Sequence, residues 1–60
     1  MKFVNGTLVQ IYNHEHIWHG ELAIVRDSNR SFCRVELLGG LTWVPEHWLL
    51  PVENNEQSNH

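Results

Sequence analysis

The chain has 60 residues, enough for one small domain, and 42% of them are hydrophobic, including three tryptophans. The formal net charge of −3 argues against a protein that grips nucleic acid mainly through phosphates, because such proteins usually carry a basic surface. A lone cysteine, Cys33, excludes a disulfide within the chain. No apolar run is long enough for a signal peptide or a membrane span, so we predict a soluble, cytoplasmic protein.

Short runs of β-branched and aromatic residues, separated by turn residues, predict an all-β domain. Apolar and polar residues alternate most regularly in the third run, where Cys33, Val35 and Leu37 are expected to face the core. No window shows the apolar stripe of an amphipathic helix. The five predicted strands cover residues 7–12, 21–26, 32–37, 41–44 and 49–52.

Turn residues punctuate these strands. Residues 27–30 predict a hairpin turn, and the Gly39–Gly40 pair predicts a break before the fourth strand. Pro45 lacks an N–H, so we expect it to end the ladder and to open a 3₁₀ turn over residues 45–48. A meander of this kind closes best as a small barrel over residues 1–52. Residues 53–60 contain no apolar side chain and predict a disordered polar tail.

Residues 40–52 contain a hydrophobic strand, then Pro45-Glu46-His47-Trp48-Leu49, then a short last strand. This pattern resembles the end of SH3-like domains, and the runs that begin at Gly6 and Gly20 are similar to the first strands of KOW-type and cyanobacterial photosynthetic accessory subunits. The resemblance implies a five-stranded SH3-like barrel with a 3₁₀ turn before the last strand. It also implies that Pro45 and Trp48 match the groove-lining proline and aromatic of that family. The signalling type's first-strand motif, acidic loop and paired tryptophans are missing here.

The aromatic residues are the main candidates for binding. Three tryptophans are many for so small a core, and tryptophan is enriched at binding hot spots. Either all three pack the barrel, or Trp18 and Trp48 form a surface platform. We predict that the domain is a non-enzymatic protein-binding module or small accessory subunit. The candidate contact residues are Trp48, Pro45, Trp18 and Tyr12.

The second candidate function is nucleic-acid binding of the KOW or Tudor kind, in which Arg26, Arg30 and Arg34 would contact phosphates. A third is a homo-oligomeric barrel that buries the tryptophans against copies of itself. Both remain open beside the protein-binding hypothesis.

The histidine-rich loop around His14, His16 and His19 could suggest a metal site, since imidazole is a common ligand for zinc and copper. Neither Cys33 nor His47 has a spacing that completes such a site, so we predict a solvated loop without metal or other cofactor. The alternative is a loop that is sensitive to pH or contacts a partner. No catalytic motif is present. Residues 17–22 are similar to a segment of plasmid-type dihydrofolate reductase, but the Val-Gln-Ile-Tyr motif of that family stands here in the first strand. We therefore predict no enzymatic activity.

Overall fold

The computed structural model describes residues 3–52, which form one five-stranded antiparallel sheet. A 3₁₀ turn, Glu46–Trp48, separates the fourth strand from the last. The all-β prediction and the predicted turn are confirmed. The polar tail predicted over residues 53–60 lies outside the described residues. The strands are β1 Leu8–Ile11, β2 Leu22–Ser28, β3 Phe32–Leu37, β4 Gly40–Pro45 and β5 Leu49–Pro51.

The strands lie in the order β4-β3-β2-β1-β5, so β1 is paired on both sides although it comes first in the chain. Each neighbouring pair is antiparallel. Within residues 3–52 no ladder joins β4 to β5, and these two strands are the edges of the sheet. Closure into a barrel therefore stays a prediction.

The core lies on one face of the sheet, because alternate residues of a strand point to opposite sides. Cys33, Val35 and Leu37 are all buried, as the alternation predicts. Several of the core side chains are β-branched, which suits a pleated and half-buried surface. No polar or charged residue of the described chain belongs to the fully buried class. The complete core consists of Phe3, Val9, Ile11, Ala23, Val25, Cys33, Val35, Leu37, Val44 and Leu49.

The hairpin between β2 and β3 is confirmed, but its predicted turn at residues 27–30 is wrong by two residues. Asp27 and Ser28 belong to β2, and the connection covers only residues 29–31. The register shifts between Val25 and Asp27, so a bulge at Arg26 lets the ladder continue past the point where the turn was expected. The Asn29 side-chain oxygen then accepts the N–H groups of Ser31 and Phe32, at 3.1 and 2.9 Å.

The turn between β3 and β4 is formed by Leu38 and Gly39, one residue earlier than the predicted Gly39–Gly40 break. Both have positive φ, 51° and 83°, which is the type I′ geometry that matches the twist of a two-residue hairpin. Gly40 is the first residue of β4 and is paired with Leu37. This tight turn fixes the register of the whole β3–β4 hairpin.

The connection between β1 and β2 is the longest in the described chain and is tied down at its base. The Gly20 N–H donates to the Ile11 carbonyl at 2.7 Å, and the Ile11 N–H donates to the Glu21 carbonyl at 2.9 Å. The Tyr12 N–H donates to the Trp48 carbonyl at 2.6 Å. These bonds hold the loop beside the 3₁₀ turn. Residues 3–52 contain no helix with the length and apolar character needed to cross a membrane.

Candidate functional site

The loop after β1 gathers one tyrosine and two histidines into a ring cluster. The Tyr12 ring meets the His14 ring edge-on at 4.8 Å between centroids, and it lies 5.0 Å from the His19 ring. The two imidazoles are 4.3 Å apart. The Tyr12 hydroxyl and His14 Nε2 are also hydrogen-bonded at 3.0 Å. Half of the Tyr12 surface remains exposed, so the cluster faces solvent.

A second ring cluster joins this loop to the 3₁₀ turn. The His16 ring lies 5.0 Å from the Trp18 ring and 5.1 Å from the Trp48 ring. Both tryptophans are partly buried and pack against the core. His16 therefore connects two tryptophans that are far apart in the chain, and it does so on top of the hydrophobic core.

Backbone hydrogen bonds fix the orientation of two of these imidazoles. The Asn13 N–H donates to His19 Nδ1 at 2.9 Å, and the Trp18 N–H donates to His16 Nδ1 at 3.1 Å. An Nδ1 atom that accepts a hydrogen bond carries no proton, so each ring presents its N–H at Nε2. His16 and His19 thus stabilise the loop by accepting hydrogen bonds from its own backbone.

We call this surface the aromatic end. It combines two half-buried tryptophans that pack against the core with side chains that project into solvent. Ile17, between His16 and Trp18 in sequence, is 88% exposed. The aromatic end consists of Tyr12, His14, His16, Ile17, Trp18, His19 and Trp48.

Three of the four predicted contact residues meet at the aromatic end. Tyr12 is half exposed, whereas Trp18 and Trp48 are partly buried. The burial of the two tryptophans is therefore intermediate between a fully packed interior and an open surface platform. The fourth residue, Pro45, is the last of β4, lies opposite Phe32 and caps the 3₁₀ turn that carries Trp48. Pro45 therefore lies at the start of the turn that carries Trp48.

The most exposed tryptophan is Trp43, which the sequence reasoning did not single out. It is 45% exposed on the outer face of the sheet, opposite Arg34 on β3. The Arg34 guanidinium carbon lies 5.9 Å from the Trp43 ring centroid, within the range of a cation–π contact. The alternation of strand residues could have predicted the exposure of Trp43, because Val44 is buried and adjacent residues of a strand point to opposite faces.

The three arginines do not form an unopposed basic patch. Arg26 donates to Glu36 on β3, with an Nη2 to Oε1 distance of 2.8 Å. Arg34 is paired in register with Asp27 and contacts Trp43, while Arg30 is exposed in the hairpin loop. Three arginines against five carboxylates give residues 3–52 a formal charge of −2.

Among residues 3–52, no three His, Cys, Asp or Glu side chains come together as a possible metal site. Two surface grooves have volumes of about 240 and 310 Å³. The first lies along the 3₁₀ turn and β5 and includes Glu46 and His47, and the second lies on the outer face of the sheet and includes Glu36. Neither groove is lined by Cys33, which is buried in the core.

Comparison of the chain with protein-family models, with curated proteins and with solved structures gives no match.

Proposed function

We propose that this chain is a non-enzymatic protein-binding module, a small accessory subunit or adaptor, that contacts its partner through the aromatic end. The observation that supports this proposal is a pair of three-ring clusters, built from the β1–β2 loop and the 3₁₀ turn, of which Tyr12 is half exposed. Tryptophan and tyrosine are among the residue types most enriched at binding hot spots. A surface of this composition suits a protein partner.

Preorganisation strengthens the proposal. Association is weakened when interface side chains must be ordered, by about 0.5–1.5 kcal/mol for each flexible side chain. At the aromatic end the rings already contact one another, and the loop is held at its base by backbone hydrogen bonds from Ile11, Tyr12 and Gly20. Little ordering therefore remains to be done when a partner docks.

The charge around this surface indicates the chemistry of the partner. Glu15 and Glu21 lie in or beside the loop, and the described chain is acidic. A partner segment with apolar anchors for Tyr12 and Ile17 and with basic residues at its rim would be complementary.

The test is capture of partners from the source cell with immobilised protein, followed by titration of the captured protein. Tyr12→Ala and Ile17→Ala change exposed side chains, so both variants should stay folded. We expect each to weaken binding by about 1–2 kcal/mol, roughly tenfold. Leu38→Ala, which alters an exposed apolar residue of another loop, is the matched control and should bind like the wild type. Equal binding by all four proteins would remove the aromatic end as the contact surface.

Trp48→Ala belongs in the same series, but it is expected to change stability as well as binding. Because Trp48 packs against the core, its loss should lower the free energy of unfolding as well as the affinity. Affinity is therefore interpretable only under conditions where circular dichroism shows the variant folded.

Nucleic-acid binding is the second candidate function, and one contact favours it: Arg34 lies beside the exposed Trp43, an arrangement that could accept a base and a phosphate. The ion pair of Arg26 with Glu36 and the acidic balance of residues 3–52 count against it. Salt dependence separates the two functions. A single-stranded oligonucleotide held through phosphates should lose affinity with a log–log slope near −0.7 per contact, whereas a protein partner held through aromatic contacts should change little.

A further inference from the structure

We propose that two copies of this chain associate edge to edge through β4, as an antiparallel pair with a two-fold axis at Thr42. The inference concerns the β4 edge and is independent of the aromatic end, so either proposal can fail without the other. It rests on the hydrogen-bonding state of β4, on the side chains beside it and on the contrast with the other edge of the sheet.

The register of the β3–β4 hairpin determines which backbone groups of β4 face outward. In a two-residue type I′ hairpin the residues that flank the turn form a hydrogen-bonded pair, here Leu37 with Gly40, and such pairs recur at every second position. Gly40, Thr42 and Val44 therefore bond to β3. The Glu46 N–H donates to the Ser31 carbonyl at 2.8 Å, which agrees with this alternation.

The N–H and C=O groups of Leu41 and Trp43 consequently point away from β3, along the open edge. Within residues 3–52 no backbone group and no side chain forms a hydrogen bond with these outward-pointing groups. An edge strand of this kind is a template for pairing with another strand, and proteins usually block it with a charge, a bulge or a proline.

The two edges of the sheet differ in how far they are blocked. β5 has only three residues and ends at Pro51. β4 has six residues, carries no charged side chain and reaches its proline only at its last position. β4 is therefore the edge that is free to pair.

One antiparallel register satisfies all the outward groups of β4. When Thr42 faces Thr42 of the second copy, Leu41 of each chain faces Trp43 of the other, and the four residues exchange four hydrogen bonds. Moving the axis to Trp43 would place Leu41 opposite Pro45, which has no N–H, and would leave the Leu41 carbonyl unpaired. Moving it to Leu41 would place Trp43 opposite Gly39, in the turn.

The same register suits the side chains. Leu41 and Trp43 are 55% and 45% exposed on the outer face, and the two-fold axis makes two apolar cross-strand pairs of them. Each apolar pair is flanked by the residues that face it on the two β3 strands. Arg34 of one copy therefore lies beside Trp43, and Glu36 of the other copy lies beside Leu41. Thr42 meets its own copy in a close, non-hydrogen-bonded pair, an arrangement in which threonines stabilise sheets. The interface is isologous, as in most homodimers.

Sedimentation equilibrium of the full chain over a range of concentrations tests the association. We expect a concentration-dependent rise from 7.1 kDa towards twice that mass. Leu41→Lys should weaken dimerisation at least tenfold, because a lysine on an edge strand blocks pairing. Leu22→Lys makes the same change at an exposed position of a central strand and should dimerise like the wild type. A wild type that stays at 7.1 kDa up to about 1 mM, or equal effects of the two variants, would overturn the proposal.

Disulfide trapping tests the register and does not depend on Leu41→Lys folding. In the proposed pair the two Thr42 Cα atoms lie about 4.5 Å apart, within the range that a disulfide spans. Oxidised Thr42→Cys should therefore form a covalent dimer at least ten times faster than Leu41→Cys, whose two copies are diagonal neighbours beyond that range. The wild-type protein, with only its buried Cys33, is the background control. Equal rates for the two variants would contradict the register.

Discussion

Replacing Leu38 with asparagine should stabilise the protein. Leu38 has φ = 51°, a left-handed conformation that costs a non-glycine residue about 1–2 kcal/mol and that asparagine tolerates better. Leu38 is 69% exposed, so removing its side chain forfeits only about a third of the 1.5–3 kcal/mol that full burial of a leucine provides. We therefore expect Leu38→Asn to raise the free energy of unfolding by about 0.5–1 kcal/mol. In a domain of this size that corresponds to roughly 2–8 °C in Tm.

The assay is urea denaturation followed by tryptophan fluorescence, with Leu38→Ala as the matched control. Alanine loses the same packing but keeps the cost of positive φ, so Leu38→Ala should lower the free energy of unfolding by about 0.5–1 kcal/mol. A midpoint for Leu38→Asn at or below that of Leu38→Ala would refute the type I′ turn. It would also remove the register on which the outward groups of β4 depend.

Further predictions concern the core and the outer face. Glu36→Gln should lower the free energy of unfolding, measured by urea denaturation, by no more than about 1 kcal/mol, because Glu36 and its partner Arg26 are both about half exposed. A decrease above about 2 kcal/mol would mean that the pair is buried. Val35→Ala should lower the free energy of unfolding by about 2–3 kcal/mol, since Val35 is fully buried. An unchanged urea midpoint would contradict the placement of Val35 in the core. The Cys33 thiol should react with a thiol reagent only as fast as the protein opens; immediate reaction in the folded protein would show Cys33 to be exposed.

The strand pattern was predictable because burial on one face imposes a period of two on the sequence. The predicted bounds of β3 match the structure, and the other four strands were found to within two residues at each end. Local turn chemistry was less informative. The bulge at Arg26 extends β2 past Asp27, and the turn uses Leu38, a residue type that rarely adopts positive φ. Tertiary pairing decided both positions.

The candidate site was only partly predictable. Tyr12, Trp18 and Trp48 could be chosen because aromatic residues outside regular strands are frequent in binding sites. That His16 lies between the two tryptophans depends on how the β1–β2 loop folds back over the 3₁₀ turn, and such a long-range contact has no local sequence pattern. The exposure of Trp43 follows from the burial of its neighbour Val44, and four residues of β4 alone do not show which of the two alternating faces is buried.

The most direct test of the aromatic end as a protein-binding surface is photo-crosslinking in the source cell. A benzophenone amino acid in place of Ile17 should give one dominant adduct with another protein, and the adduct should be lost when Tyr12→Ala is added. The same probe in place of Leu38 should not give that adduct. An Ile17 probe that yields no specific adduct, or the same adduct from both positions, would contradict the proposed function.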